Sequence, residues 1–286
     1  DIMNMNKEFT KDIVILYHGE CGDGFGAAWA AWKKFGDEAD YIPVLHGGIY
    51  PDYFLNKEIY TLDLTLPKEV TEKLLRSNKR LTSIDHHISA EEITKMTQDY
   101  SFDNNHSGAV LSWKYFHPDK PVPKLLILIE DIDIWKWEFP ETGNFISALN
   151  LHDFSFEFFD KVSLEIEDPD KLKEYLSKGE IVSQHDKKIV DELSQTAILV
   201  EFEGYKIYAV NAPDFIKSEL GSKLSETFPF AIVWRQKKDK IFVSLRSSDK
   251  RINVSEIAKK YGGGGHKGAA SFSFLYGQPF PWQTIR

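Results

Sequence analysis

Ser83-Ile84-Asp85-His86-His87 sets one carboxylate and two imidazoles directly behind a run of apolar, β-favouring residues. A short buried strand over 81–84 would release the three polar side chains together at its carboxyl end, where open α/β sheets hold their ligands. One acid and two histidines meeting there are donors for a divalent metal. Taken alone the triplet is more simply a surface turn. The balance shifts because other acids and histidines end other predicted strands, and because Gly262-Gly263-Gly264-Gly265-His266 follows far downstream.

His18-Gly19-Glu20-Cys21-Gly22-Asp23-Gly24 follows a continuous apolar run over 12–17 and precedes an Ala- and Trp-rich helical stretch over 25–35. Strand, glycine-loosened loop and helix make the first βα turn of a nucleotide-type sheet. Its glycines let the backbone approach a ligand, and His18, Cys21 and Asp23 offer donor atoms. The plainer alternative is that Asp23 caps the helix and His18 bonds locally. Asp63 ends a strand over 59–62 and precedes a helix over 68–77 that has Pro67 near its first turn. An apolar helix beginning at 125 carries Glu130-Asp131-Ile132-Asp133-Ile134-Trp135 at its end. Acids alternating with isoleucines are costly if buried unpaired, so at least one should meet a cation or a partner; for Asp133 an exposed helix end is an equal alternative.

Carboxylate oxygens and imidazole nitrogens from His18, Asp23, Asp63, His86 and Asp131, with Cys21, Asp85 and His87 beside them, suit Mn²⁺, Mg²⁺ or Zn²⁺ rather than a soft thiolate site. A shared carboxylate would hold two ions about 3.5–4 Å apart, the spacing at which a bridging water becomes a hydroxide for in-line attack on phosphorus.

A second constellation is Arg246 with Gly262 to Gly265, His266 and Lys267, set between a helix over 254–261 and a strand over 269–274. Consecutive glycines free backbone N–H groups to surround an anion, and arginine and histidine add charge-assisted donors. A glycine run can also be a linker, but linkers are exposed and Gly/Ser-rich, whereas this one is clamped between two elements.

These residues need an α/β scaffold. Further strands are expected at 41–45, 197–202, 205–210, 230–236 and 240–245, with Glu203-Gly204 as a two-residue hairpin turn. Helices are expected at 90–96, at 107–116 with Ser107 as N-cap, over the aromatic stretch 145–159, over a long charged amphipathic stretch 168–193, and at 218–227. The tail after Tyr276 reads as loose. The expected organisation is an N-terminal, mostly parallel sheet with helices on both faces over 11–165, a helical linker over 166–195, and a smaller α+β mixed-sheet domain over 196–286.

No stretch of the 286 residues approaches the roughly 20 apolar positions needed to span a bilayer, so no membrane partner is expected. A single cysteine forms no internal disulfide, and the first ten residues lack a secretory layout, which points to the cytoplasm. A net charge of −9 argues against a protein that coats long duplex nucleic acid, while bound cations would still let it accept a short phosphate-bearing substrate. The oligomeric state is open, a homodimer included.

The two constellations, in this order, resemble the DHH phosphoesterase family, in the form that carries the C-terminal DHHA1 substrate-binding domain. The resemblance runs from about residue 12 to 274. The His18 to Gly24 stretch looks like the first motif, Leu62-Asp63 the second, Asp85-His86-His87 the third and Asp131 the fourth; Arg246 and the Gly262 to Lys267 stretch look like the signature of the second domain. What this implies is two Mn²⁺ ions in a cleft between the domains, with Mg²⁺, Zn²⁺ or Fe²⁺ as alternatives. His18 and Asp63 would hold one ion and Asp23, Asp63, His86 and Asp131 the other, with Asp63 bridging. Asp85 would orient a ligand, His87 would face the reacting phosphate, and Arg246, Gly263, Gly264, Gly265 and His266 would grip the rest of the substrate. The family usually has aspartate where Cys21 stands; a thiolate there would favour Zn²⁺ or Fe²⁺. The implied activity is metal-dependent hydrolysis of short oligoribonucleotides, as in oligoribonucleases of the nanoRNase type. Cyclic dinucleotides, 3′-phosphoadenosine 5′-phosphate and inorganic polyphosphate are alternative substrates, and a non-catalytic nucleotide-binding protein is the alternative class.

Overall fold

In β1 (Ile13–His18), successive side chains serve two different cores, which is why its sequence is an apolar run as far as His18. Ile15 and Tyr17 pack with Ala27, Ala28 and Ala31 of α1 (Gly22–Phe35), while Val14 and Leu16 join Ile59, Leu74 and Leu81 on the other side. The structure is a computed structural model that describes residues 10–19, 21–45, 50–248 and 252–285; Glu20 of the first motif lies outside them. The chain divides into two compact units, Asp1–Glu180 and Ile181–Arg286.

In the first unit, β2 (Ala39–Val44), β3 (Glu58–Leu62), β4 (Arg80–Asp85) and β5 (Asp99–Phe102) complete a five-stranded sheet in the order β2-β1-β3-β4-β5. Every pairing is parallel. Helix α2 (Lys68–Ser77) brings Leu74 to one face, and after α3 (Glu91–Thr94), α4 (Gly108–Phe116) brings Leu111 and Phe116 to the other. Outside α1 lies a second apolar layer from α4, α5 (Lys124–Asp133), α6 (Thr142–Leu149) and α7 (Phe156–Glu165), centred on Trp29, Trp113, Leu126, Phe145 and Phe159. The small residues of Gly-Ala-Ala-Trp-Ala-Ala let α1 be covered on both sides. The aromatic stretch forms two helices rather than one, because Ser155 accepts from Phe158 N at 3.1 Å and starts a new helix. Strand β5 escapes a sequence reading: it is four residues long, on the sheet edge and partly exposed.

Helix α8 (Pro169–Ser194) runs across the division between the units. In the second unit, β6 (Ile198–Phe202), β7 (Tyr205–Asn211), β8 (Ala231–Lys237), β9 (Lys240–Arg246), β10 (Gly264–Gly265), β11 (Ala269–Leu275) and β12 (Gln283–Thr284) form a seven-stranded mixed sheet. Its order is β10-β11-β9-β8-β7-β6-β12, antiparallel except for β7 with β8, which are linked through α9 (Lys217–Leu224). Glu203 and Gly204 both have positive φ, as a two-residue hairpin turn with the right-handed strand twist requires. Helix α10 (Val254–Lys260) packs Val254 and Ala258 onto one face with Phe202, Phe230 and Phe272. The tail is tied down rather than loose: Trp282 is buried in that core and β12 pairs with β6. Among the described residues no helix is long and apolar enough to cross a membrane.

Gly179, midway along α8, meets α6 so closely that an added Cβ would sit 1.6 Å from Asn144 O. Alanine favours helix over glycine by about 1 kcal/mol, yet Gly179→Ala is expected to lower stability by about 1–3 kcal/mol through overpacking, read as a lower urea midpoint with an unchanged slope.

Candidate metal centre

The parallel register brings the ligands together. Tyr17 pairs with Leu62 and Leu62 with Ile84, so the next residues, His18, Asp63 and Asp85, leave three adjacent strands at one level. Asp63 takes a left-handed φ of 50° while its N–H still donates to Ile84 O at 2.9 Å, which turns its carboxylate into the group. That carboxylate is buried and faces both ways. Oδ2 lies 3.3 Å from His18 Nδ1 and 3.6 Å from Cys21 Sγ; Oδ1 lies 3.2 Å from His86 Nε2 and 3.6 Å from His87 Nδ1.

Cys21, not Asp23, caps α1. Its Sγ accepts from Gly24 N at 3.3 Å and stands 3.1 Å from His18 Nδ1. Asp23 instead accepts from Gly108 N (2.7 Å) and Ala109 N (2.9 Å) at the start of α4, whose N-cap is Ser107. This leaves an Asp23 oxygen 3.7 Å from His86 Nε2, on the same side as Asp133 Oδ2 at 3.5 Å. Donor atoms of His18, Cys21 and Asp63 lie within 4.8 Å of one another, as do those of Asp23, His86 and Asp133, and those of Asp63, Asp85 and His87.

Asp131 is not among these groups, contrary to its expected place as the fourth-motif ligand. Its buried carboxylate accepts from Glu138 N (2.7 Å), Phe139 N (3.3 Å) and Thr142 Oγ1 (2.5 Å), holding the chain after α5. Residues two apart on a helix point about 200° from each other, so only one of Asp131 and Asp133 can enter the cluster, and it is Asp133. The alternation Asp-Ile-Asp signalled that a choice existed. The outcome is set by Thr142, eleven residues on.

Asp85 is fully buried and accepts from Thr65 Oγ1 (2.6 Å), His86 N (2.7 Å), His87 N (3.0 Å) and His87 Nδ1 (2.8 Å), so it orients the histidine pair.

The charges demand compensation. Asp63 Oδ1 and Asp133 Oδ2 are buried oxygens with no hydrogen-bond partner among the described residues. Burial and then the Asp133 and Asp63 charges push the Asp23 carboxyl well up; burial and then Asp63, Asp23 and Asp133 do the same to the Cys21 thiol. Burial draws the His86 imidazolium down, but Asp63, Asp133 and Asp23 outweigh it and hold the pKa at about 10. His87 is likewise held at about 9, against burial, by Asp85 and Asp63. Without a cation this cluster must keep protons; a divalent ion replaces them. Donor set, spacing and unpartnered oxygens thus fit a divalent metal.

In the second unit, Arg246 donates from Nη1 to Leu245 O (2.9 Å) and from Nη2 to Ser218 Oγ (3.3 Å). Burial pulls its pKa down to about 10, although the Asp214 and Glu219 charges oppose this. Register pairs Arg246 with Ala269, next to the turn that carries His266 and Lys267. The glycine loop differs from an open anion nest. Gly262 N, Gly263 N and His266 N donate to Lys259 O (3.0 Å), Ala258 O (2.9 Å) and Ala269 O (2.7 Å), and Gly264 and Gly265 pair with Ser271 and Ala270. Glycine is needed there for close approach, since a Cβ at Gly263 would lie 2.0 Å from Ser271 O.

A parallel sheet whose strand ends converge on a shared aspartate with imidazoles and further acids, followed by a mixed-sheet unit, makes a two-unit α/β protein with a candidate divalent-metal centre. Residues 207–276 match the DHHA1 domain family. An uncharacterized protein of Acanthamoeba polyphaga mimivirus is 33% identical over 297 residues, covering 94% of this chain and 69% of that protein. Oligoribonuclease NrnB of Bacillus subtilis (strain 168) is 26% identical over 306 residues, covering 90% of this chain and 72% of that protein. Two solved structures share the fold. The DHH domain of a member of a ribosomal-protein family has a TM-score of 0.55 at 12% identity, covering 93% of this chain and 83% of that one. An exopolyphosphatase-related protein from Bacteroides fragilis has a TM-score of 0.51 at 15% identity, covering 94% and 88%. The chain belongs to the DHH phosphoesterase family, whose members are metal-dependent phosphoesterases.

The exchange of roles between Asp131 and Asp133 separates two measurements. Asp131→Asn should lower stability by about 1–3 kcal/mol through lost buried hydrogen bonds. Asp133→Asn should leave stability of the metal-free protein equal or higher while weakening Mn²⁺ binding at least tenfold, followed by calorimetry.

Proposed function

We propose that this chain hydrolyses phosphodiester bonds of short oligoribonucleotides at a centre for two divalent cations. The observation that carries the reading is the Asp63 carboxylate, buried and presenting one oxygen to His18 and Cys21 and the other to His86. His18, Cys21 and Asp63 would hold one cation; Asp23, Asp63, His86 and Asp133 would hold the other. Such cations, when bound, supply Lewis-acid polarisation of phosphate oxygens and a water of lowered pKa.

The chain's own residues do the rest. Thr65 and the two histidine N–H groups fix Asp85, and Asp85 fixes the His87 ring through Nδ1, so that His87 is poised as a donor to a phosphoryl oxygen as charge develops. Gly108 N and Ala109 N orient Asp23 from the start of α4. Arg246 and the His266 turn at one end of the second sheet are the proposed holders of the remaining nucleotide. Similarity to an oligoribonuclease over nine-tenths of the chain supports short RNA as the substrate, and the net charge of −9 disfavours long duplexes. Mn²⁺ suits the oxygen and nitrogen donors, while Cys21 moves preference at its own ion toward Zn²⁺ or Fe²⁺.

Purified protein with Mn²⁺ and a ribodinucleotide should release mononucleotides, and a chelator should stop it. Binding without release under any added metal would favour a non-catalytic nucleotide-binding protein. Ligation by Cys21 has its own readout: Co²⁺-loaded protein should show a near-ultraviolet thiolate-to-cobalt absorption that Cys21→Asp lacks. If wild-type protein lacks that band, Cys21 is no ligand.

A further inference from the structure

We infer that Trp135 and Trp137 form a platform on which a nucleobase of the substrate stacks; the inference rests on the nucleotide reading above. Both indoles are exposed, at 41% and 45%, with ring centroids 5.1 Å apart and planes at 83°. An exposed pair of the largest apolar side chain is unusual enough to need a reason.

The backbone beneath them is built to keep them there. Trp135 and Trp137 sit at φ values of 61° and 55°, a left-handed conformation that bulky residues adopt only when their surroundings impose it. The imposing groups are two buried acids at the end of α5. Asp131 accepts Lys136 N (2.9 Å) and Trp137 N (3.3 Å) on its main-chain oxygen, and Glu138 N and Phe139 N on its carboxylate. Glu130 accepts Lys136 Nζ at 2.7 Å and Ser107 N at 2.9 Å, which pins the residue between the two tryptophans to the loop that starts α4. Trp137 also rests against Gly143, where an added Cβ would stand 3.6 Å from its ring. A mere connector would let its indoles turn inward. This one is fastened at nearly every residue, and both indoles stay partly exposed.

Its place matches a base. Trp135 follows Asp133, a member of the acid and imidazole group, by two residues, so their Cα atoms are at most about 7 Å apart. A phosphate at that group would leave its attached nucleoside within reach of the loop. Lys136 is paired with Glu130, so what the loop offers is aromatic surface more than charge. Stacking on aromatic faces is tolerant of base identity, as an enzyme of short mixed-sequence RNA requires. A polyphosphate chain would have no use for it.

The test compares AMP with ribose 5-phosphate, which lacks the base, for binding by calorimetry in Mn²⁺, alongside cleavage of the dinucleotide ApA. Wild-type protein should bind AMP more tightly than ribose 5-phosphate. Trp135→Ala and Trp137→Ala should each weaken AMP binding and raise the KM for ApA by about tenfold to a hundredfold, the effect of one lost base stack, and leave ribose 5-phosphate binding and thermal stability unchanged. Trp135→Phe and Trp137→Phe should restore most of the loss. AMP binding no tighter than ribose 5-phosphate, or alanine variants that bind AMP and cleave ApA like wild type, would overturn the platform. Base-dependent AMP binding that the alanine variants lose, without cleavage of ApA by wild-type protein, would keep the platform and remove the hydrolytic reading.

Discussion

Crowding of buried negative charge around Asp63 is the constraint on which the first unit depends. Asp23, Asp63 and Asp133 all bear on one imidazole, His86, and the Cys21 thiol stands against the same carboxylate from the other side. In water such groups would separate; here the parallel register of β1, β3 and β4 and the close seating of α1 and α4 hold them in place. Protons, imidazolium rings or divalent cations can neutralise the cluster, and only the last also leaves the histidines as neutral ligands.

The scaffold serves that crowding at the level of single atoms. A Cβ at Gly108 would fall 2.6 Å from Asp63 Cβ and 2.9 Å from Asp23 Oδ2, and one at Gly24 would fall 2.1 Å from His18 O. Those two glycines allow two helix starts to press against the ligands. The start of α4 does more than pack: its first N–H groups are directed at Asp23, so the positive helix end offsets part of the charge that the cluster concentrates. Asp63 Oδ1 and Asp133 Oδ2, which face the His86 imidazole but accept no hydrogen bond among the described residues, remain a destabilising feature of the metal-free chain. Cation binding and folding stability are therefore linked, since whatever satisfies those oxygens binds the folded chain alone.

Strand ends followed by acids or histidines were legible because fully buried strands are continuous apolar runs, and the polar residue that breaks the run is where the strand must stop. His18, Asp63 and Asp85 follow from that rule alone. Ser107 as N-cap and the Glu203-Gly204 turn follow from local chemistry of the same kind. Choices made by distant partners were not legible. Asp131 and Asp133 differ only in which side of α5 they occupy, and Thr142 with the N–H groups of Glu138 and Phe139 decides it. Cys21 displaced Asp23 as the cap because Gly108 and Ala109, eighty-five and eighty-six residues on, claim the aspartate. The glycine tetrad showed that backbone must approach backbone, but not that the partner would be β11.

Asp131 also explains how one helix end meets two structural demands. Its neighbour Asp133 belongs to the charge cluster, which needs a fixed position, while the loop beyond holds large apolar rings against solvent, which needs a fixed conformation. A flexible loop would satisfy neither demand, because its motion would pull on Asp133 and its indoles would collapse onto the nearest apolar surface. Clamping the main chain with the Asp131 carboxylate meets both demands at once. The acid that resembles a family ligand by position therefore serves the backbone here, holding the chain between Asp133 of the cluster and the tryptophans beyond it.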